Sequence, residues 1–134
     1  MAFRYLRDPL FLLCVAAYIV NRFILKAVLH RGFAHNHLND VICIPFWVPI
    51  MLFAERRIGM RTHDLSPRWY ELIIPLVIWS AFFEVLLPLH PSFSSVAVAD
   101  PVDVVCYIAG TAVAAMIWRY CYRDAPNRAP VVSD

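Results

Sequence analysis

The polar residues that precede the second apolar run are of types that bind metal ions or move protons. His35, His37 and Asp40 form the pattern H-x-H-x-x-D. Two histidines two positions apart lie on one side of an extended segment, and Asp40 follows His37 by one helical turn. Imidazole and carboxylate groups together bind divalent metals or relay protons. We therefore treat these three residues as candidate metal ligands, the alternative being that they are ordinary polar loop residues.

The first and third apolar runs contain polar residues that a lipid bilayer should exclude. Asn21, Arg22 and Lys26 lie in the second half of the first run, and Glu84 lies near the end of the third. Each ionisable group near the bilayer centre costs a few kcal/mol, so it is expected to face a partner or a water-filled cavity. At 1.5 Å per residue, Arg22 and Glu84 lie at matching depths of about 10 Å. The sequence predicts an ion pair between Arg22 and Glu84, with Lys26 as the competing partner of Glu84. The pair either belongs to a functional site or only holds two helices together.

A second acidic stretch precedes the last apolar run. In 100-DPVD-103, Asp100 is placed to cap a helix whose first residue is Pro101. Asp103 either stabilises the same helix start or joins a polar site, because it shares a helix face with Tyr107 and Gly110. Both interpretations of Asp103 stay open at this point.

Other familiar chemistry has no sequence support. The chain contains no HExxH, GxSxG, P-loop or dinucleotide-binding pattern, so no catalytic residue is predicted. Four cysteines are dispersed without a CxxC spacing and are expected to be small packing residues: Cys14, Cys43, Cys106 and Cys121. A divalent metal is the one cofactor that the sequence suggests.

The composition indicates the elements that must position these residues. The 134 residues are 61% hydrophobic and 16% charged, with a mean hydropathy of +0.61. A soluble domain is about 45–50% apolar and about 25% charged, so this chain fits a membrane protein and not a disordered, disulfide-rich or nucleic-acid-binding one. We predict an all-α four-helix transmembrane bundle. One domain over 1–124 contains spans at about 9–28, 37–54, 67–89 and 101–122, and a flexible tail follows at 125–134.

Local signals place the span boundaries. Asp8, Ser66 and Asp100 each precede a proline, which is typical of a capped helix start. The second run is short, so its helix is expected to start within the polar stretch 35–40, capped by Asn36 or Asn39.

The distribution of lysine and arginine predicts the orientation. Nine of these residues lie at the two chain ends or in the middle loop, whereas the other two loops together carry only Arg31. By the positive-inside rule, both termini and the middle loop are cytoplasmic, and residues 29–40 and 90–101 are outside. Most of the polar candidates then lie on the outer side.

These residues also carry a family resemblance. Glu84-Val-Leu-Leu-Pro88, followed after a short loop by Asp103-x-x-x-Tyr107-x-x-Gly110, resembles the signature of VanZ-like small integral membrane proteins, and His37 with Asp40 resembles their polar segment. The resemblance implies a multi-pass protein of the bacterial inner membrane. The chain is also similar to small bacterial membrane proteins labelled as magnesium-citrate carriers.

Three functions follow as hypotheses. The first is a non-enzymatic envelope protein whose outward pocket binds an anionic group, a lipid headgroup or a carboxylate, through six candidate residues: Asn21, Arg22, Lys26, Glu84, Asp103 and Tyr107. The alternatives are a small secondary transporter, for example of a metal-carboxylate such as magnesium-citrate, and a metal-dependent membrane hydrolase that uses His37, Asp40, Glu84 and Asp103. Membrane lipids are the expected partners, a homo-oligomer is compatible with each hypothesis, and nucleic acid is not expected.

Overall fold

The computed structural model describes residues 3–92 and 100–122, and all regular structure in these ranges is helical. Four helices are long and apolar enough to cross a membrane: α1 (Pro9–Val28), α2 (Phe33–Arg57), α3 (Trp69–Leu89) and α4 (Pro101–Cys121). This confirms the all-α prediction and its four apolar helices. The predicted tail, 125–134, lies outside the described residues.

Two of the four helices contain a π-helical segment. Helix α1 is α-helical over Pro9–Val20 and Lys26–Val28, with a π turn at Asn21–Leu25 between them. Helix α3 is α-helical over Trp69–Ala81 and Leu87–Leu89, with a π turn at Phe82–Leu86. A π turn inserts an extra residue and changes which side chains face a neighbour, and such turns are frequent at functional sites. Both π turns contain candidate site residues.

Helix starts follow the predicted caps in two cases out of four. Asp8 accepts hydrogen bonds from the backbone of Leu10, at 2.9 Å, and of Phe11, at 3.3 Å. Asp100 likewise accepts from the backbone of Val102 at 2.9 Å. Both prolines then occupy the first helical position, where a missing N–H costs nothing.

The other two helix starts differ from the prediction. Helix α2 begins at Phe33, before the expected stretch 35–40, because Gly32 adopts a φ of 121° and turns the chain into the helix. Helix α3 begins at Trp69 and is not capped by Ser66. The Glu71 carboxylate accepts a hydrogen bond from the Arg68 backbone at 2.6 Å and takes that role.

Helix α2 is the centre of the bundle, since it packs against each of the other three helices. It approaches α4 closely at Gly110, where an added Cβ would lie 1.8 Å from the carbonyl oxygen of Val41. The core contains Ile44, Val48 and Leu52 of α2 with Trp118 of α4. Close packing of two backbones at a glycine is typical of helices in membranes.

Large apolar side chains cover the outside of the bundle. Leu13, Phe23, Ile74 and Val105 are among the exposed ones. A soluble monomer rarely exposes apolar area on this scale, whereas lipid is a suitable solvent for it. All four cysteines are free, as expected from their spacing.

The two ends of the bundle have different composition. At one end, which we call the termini end, the ring of Tyr5 stacks on that of Tyr122 with centroids 4.5 Å apart. The loop between α2 and α3 lies at this end as well, because the Tyr5 hydroxyl donates to the Leu65 carbonyl at 2.7 Å. The opposite end, where α2 and α4 begin, carries most of the candidate site residues. That the termini end faces the cytoplasm stays a prediction.

Candidate functional site

A histidine between two carboxylates lies at the start of α2. His37 Nδ1 is 2.8 Å from Asp103 Oδ1 on α4 and 3.8 Å from Asp40 Oδ2 on its own helix. His37 and Asp40 share a face because they are three residues apart. The contact with Asp103 is tertiary and depends on the close approach of α2 to α4 at Gly110. Asp103 therefore takes part in a polar site and does not only stabilise the start of its own helix.

Asp100 completes this group. The ligand atoms of His37, Asp100 and Asp103 all lie within 4.8 Å of one another. We call His37, Asp40, Asp100 and Asp103 the His–Asp cluster. One imidazole and several carboxylates in this space form a donor set for a divalent cation. Sequence analysis assigned Asp100 to capping alone; the residue does cap α4, and its carboxylate also faces His37.

Glu84 lies beside the cluster but does not form the expected ion pair. Its Oε2 atom accepts a hydrogen bond from the backbone N–H of Asp100 at 2.7 Å. Among the described residues no ion pair joins Glu84 to Arg22, so the predicted pairing is wrong. The physical reason is that Glu84, on the π turn of α3, reaches the chain just before α4. There it orients Asp100, and Arg22 is exposed.

The π turn of α1 brings Asn21 into the bundle instead of its cationic neighbours. Asn21 is 0% exposed, and its Nδ2 donates to Asn39 Oδ1 at 2.8 Å. The Oδ1 atom of Asn21 has no hydrogen-bond partner in the part of the chain that the structure describes. Arg22 and Lys26 are exposed and belong to none of the ion pairs of residues 3–92 and 100–122. The expected cationic pocket is therefore not assembled.

His35 does not join the cluster. Its Nδ1 lies 2.7 Å from the side-chain oxygen of the neighbouring Asn36, in an exposed position. Once α2 begins at Phe33, residues two positions apart on a helix point in different directions. The predicted metal set of His35, His37 and Asp40 is thus divided, because only the last two share the face that meets α4.

A cavity of about 370 Å³ adjoins the cluster and is lined by side chains from all four helices. Its polar lining includes Asn39, Asp40 and the buried Tyr107. The other lining residues are Tyr18, Ile42, Cys43, Phe46, Trp47 and Phe83. The volume lies in the range of small-molecule sites, about 300–1,000 Å³.

The termini end contains a buried polar network that sequence analysis missed. The Arg61 guanidinium is ion-paired with the Glu71 carboxylate, and both residues are 3% exposed. Arg61 also donates to the backbone carbonyls of His63, at 3.0 Å, and Leu65, at 2.6 Å. The network joins the loop to α3. Four arginines lie in or near this loop, and nothing in the sequence distinguishes Arg61 as the buried one. For Glu71 a signal does exist, because its position three residues after Arg68 is typical of a helix cap.

Asp8 extends this network to α4. In addition to capping α1, its carboxylate accepts hydrogen bonds from Trp118 Nε1 at 3.2 Å and from the Tyr122 hydroxyl at 2.6 Å. Burial raises the pKa of the Tyr5 and Tyr122 phenols above their ordinary value, and in Tyr122 the hydrogen bond to Asp8 adds to the effect. The side-chain donors of Arg61, Trp118 and Tyr122 all have acceptors in this network, which fits a structural role.

The site to be explained is therefore the His–Asp cluster and its adjoining cavity. In comparisons with known family models, curated proteins and solved structures, the chain has no significant match.

Proposed function

We propose that this chain is a VanZ-like multi-pass protein of the bacterial inner membrane and that it binds a divalent cation through the His–Asp cluster. The observation that carries the proposal is the spacing of the ligand atoms of His37, Asp100 and Asp103, all within 4.8 Å of one another. These residues come from the starts of two helices. A cation held between them would join α2 to α4 at the outer end of the bundle.

Charge favours a cation over the anion expected from the sequence. The cluster brings three aspartates together, and Glu84 lies next to them. Within the described ranges no lysine or arginine forms an ion pair with any of these four carboxylates. Arg22 and Lys26, which were expected to attract an anion, are exposed on α1. A bare anion would meet carboxylates in a poorly solvated site, where like charges repel strongly.

The donor set favours a transition metal. Imidazole suits zinc, iron or nickel, while carboxylates also suit manganese and magnesium, so a mixed set fits Zn²⁺ or Mn²⁺ best. Three protein ligands leave coordination positions open for water or for an oxygen of a ligand. An anionic headgroup or carboxylate would then bind through the metal, which retains an anionic ligand without a cationic pocket.

Glu84 acts in this proposal as a positioning residue. It accepts the backbone hydrogen bond of Asp100 and so orients a ligand without contacting the cation. Outer hydrogen bonds of this kind commonly contribute about 10- to 100-fold to metal affinity.

The test is metal binding by the purified full chain in detergent. We expect isothermal titration with Zn²⁺ and Mn²⁺ to show one site per chain in the wild type. His37→Ala should lower its affinity at least tenfold, because a ligand is lost. His35→Ala is the matched control, since His35 lies two residues away and outside the cluster, and it should bind as the wild type does. Equal affinities of the two variants, or no metal binding by the wild type, would refute the proposal.

A further inference from the structure

The cavity beside the His–Asp cluster has a lining dominated by aromatic rings. Tyr18, Phe46, Trp47, Phe83 and Tyr107 provide five of its nine lining residues. They come from all four helices, so the enclosure exists only in the folded bundle. The face of an aromatic ring is negatively polarised, so a lining rich in rings can attract a positively charged group.

The aromatic wall is held in place by a second layer of rings. Trp47 packs on Trp79 with centroids 4.8 Å apart, and Phe83 stacks on the same Trp79 at 5.6 Å. The ring of Phe46 also contacts two others, with centroid distances of 5.7 Å to Phe11 and 6.5 Å to Tyr18. Side chains fixed in this way lose little conformational entropy when a ligand binds.

One carboxylate supplies the charge of this cavity. Asp40 lines it, and among the residues that the structure describes no lysine, arginine or histidine does. Exposed Arg22 and Lys26 do not line it either. The carboxylate and the ring faces attract the same class of ligand, because both favour positive charge. His37, with Nδ1 3.8 Å from Asp40 Oδ2, is shared with Asp103, and a purely apolar occupant would remove water from Asp40 without adding positive charge, which is costly.

The nature of the lining also distinguishes this cavity from the metal site. A hydrated metal ion requires several oxygen or nitrogen ligands, which the His–Asp cluster supplies and the aromatic wall does not. Weakly hydrated organic cations are the ligands that aromatic cages recognise, quaternary ammonium groups above all.

We propose that the cavity is a binding site for an organic ammonium compound, with the cationic nitrogen against Asp40 and the aromatic faces of Trp47, Phe46 and Phe83. The site shares Asp40 with the His–Asp cluster, but binding of the ammonium compound does not require a bound metal. The ammonium group belongs either to a lipid headgroup or to a small soluble amine.

The test uses benzyltrimethylammonium as the probe, with the full chain in a maltoside detergent that contains EDTA. EDTA removes divalent metal, so the result is independent of the metal proposal. Neopentylbenzene, in which carbon replaces the charged nitrogen, is the neutral counterpart of the same shape. We expect equilibrium dialysis to show saturable binding of the cation and at least tenfold weaker binding of the neutral compound.

Two variants locate the binding site, and a third is the control. Asp40→Asn preserves the shape of the side chain and should weaken binding of the cation at least tenfold. Asp64→Asn removes a carboxylate at the termini end, away from the cavity lining, and should leave the affinity unchanged. Trp47→Leu keeps the side chain apolar but removes the aromatic ring, and it should weaken binding of the cation several-fold. If Asp40→Asn fails to fold, Trp47→Leu is the variant that tests the site. The proposal is overturned if the neutral compound binds equally well, or if neither Asp40→Asn nor Trp47→Leu weakens binding.

Competition identifies the source of the ammonium group. Displacement of the probe by dihexanoylphosphatidylcholine, but not by choline or dihexanoylphosphatidylglycerol, supports the lipid headgroup. Displacement by choline itself supports a soluble amine. Displacement by dihexanoylphosphatidylglycerol to the same extent as by phosphatidylcholine would contradict a cation-selective site, because only the acyl chains are then recognised.

Discussion

The Nδ1 atom of His37 lies 2.8 Å from Oδ1 of Asp103, a residue 66 positions further along the chain. This contact joins the starts of α2 and α4 and places Asp100 within reach of the same imidazole. A cation bound here would bind the folded chain and not the unfolded one, so binding and stability are linked.

Metal is therefore expected to stabilise the protein. At a free Zn²⁺ concentration 100 times the dissociation constant, the free energy of unfolding should rise by about 2.7 kcal/mol. Thermal unfolding in detergent measures this as a higher midpoint temperature, which EDTA should reverse. In Asp103→Asn, which loses a ligand but keeps its size, the same metal concentration should give little or no shift. Asp64→Asn at the termini end is the control and should keep the metal-induced rise in midpoint temperature. If both variants lose this rise equally, Asp103 is not a metal ligand.

Gly110 should be intolerant of a side chain. A Cβ at this position would lie 1.8 Å from the carbonyl oxygen of Val41, so α2 and α4 must separate in Gly110→Ala. Overpacking of this kind typically costs about 1–3 kcal/mol. The unfolding midpoint should fall, and Zn²⁺ affinity should fall with it because the cluster spans the two helices. Ala112→Val, at an exposed position of α4, should change neither quantity by much.

The buried ion pair of Arg61 and Glu71 should contribute more to stability than a second, more accessible pair near the same loop. Glu71→Gln leaves the guanidinium without its counter-charge, which in a buried pair costs about 3–5 kcal/mol. Arg56 and Asp64 form a comparable pair that is more exposed, with side chains 26% and 15% accessible. Asp64→Asn should therefore cost less than about 1 kcal/mol. Chemical unfolding measures the free energy of unfolding of both variants. Equal decreases in the two variants would show that burial does not determine how much an ion pair contributes to stability.

Stability should decline in strong alkali because of two tyrosines at the termini end. Their pKa is raised in the folded state, so above the ordinary value near 10 the unfolded chain loses phenolic protons that the folded chain retains. The stability contributed by this effect is complete below pH 10. Above it, each tyrosine lowers the free energy of unfolding by about 1.4 kcal/mol per pH unit. Tyr122→Phe should flatten the decline, whereas the same change at exposed Tyr120 should not.

The proposed orientation can be tested by labelling. In a Cys121→Ser background, a cysteine at exposed Ser92 should react with a membrane-impermeant maleimide added to intact cells. A cysteine at exposed Thr62, in the loop at the termini end, should react only after the cells are opened. The positive-inside distribution predicts this result. The reverse pattern would place the His–Asp cluster on the cytoplasmic side.

The sequence alone was sufficient for the number of long helices and their approximate bounds. Hydropathy located four spans, and the Asp-Pro signals located the starts of α1 and α4, because helix caps and apolar lengths depend on neighbouring residues in the chain. It also indicated His37, Asp40 and Asp103 as site residues, since polar groups beside apolar spans are costly and few. The predicted starts of α2 and α3 were wrong, because the chain enters α2 through the positive φ of Gly32, and α3 is capped by the Glu71 carboxylate and not at the Ser66-Pro67 signal.

Only the tertiary structure decided which of the polar residues meet. Arg22 and Glu84 have opposite charge and similar depth, yet the π turns and the packing of α1 and α3 leave Arg22 exposed and direct Glu84 to the backbone of Asp100. Arg61 was one of several loop arginines until packing buried it against Glu71. Depth along a helix is set by counting residues, whereas the direction of a side chain around the helix depends on how the helices are rotated against one another.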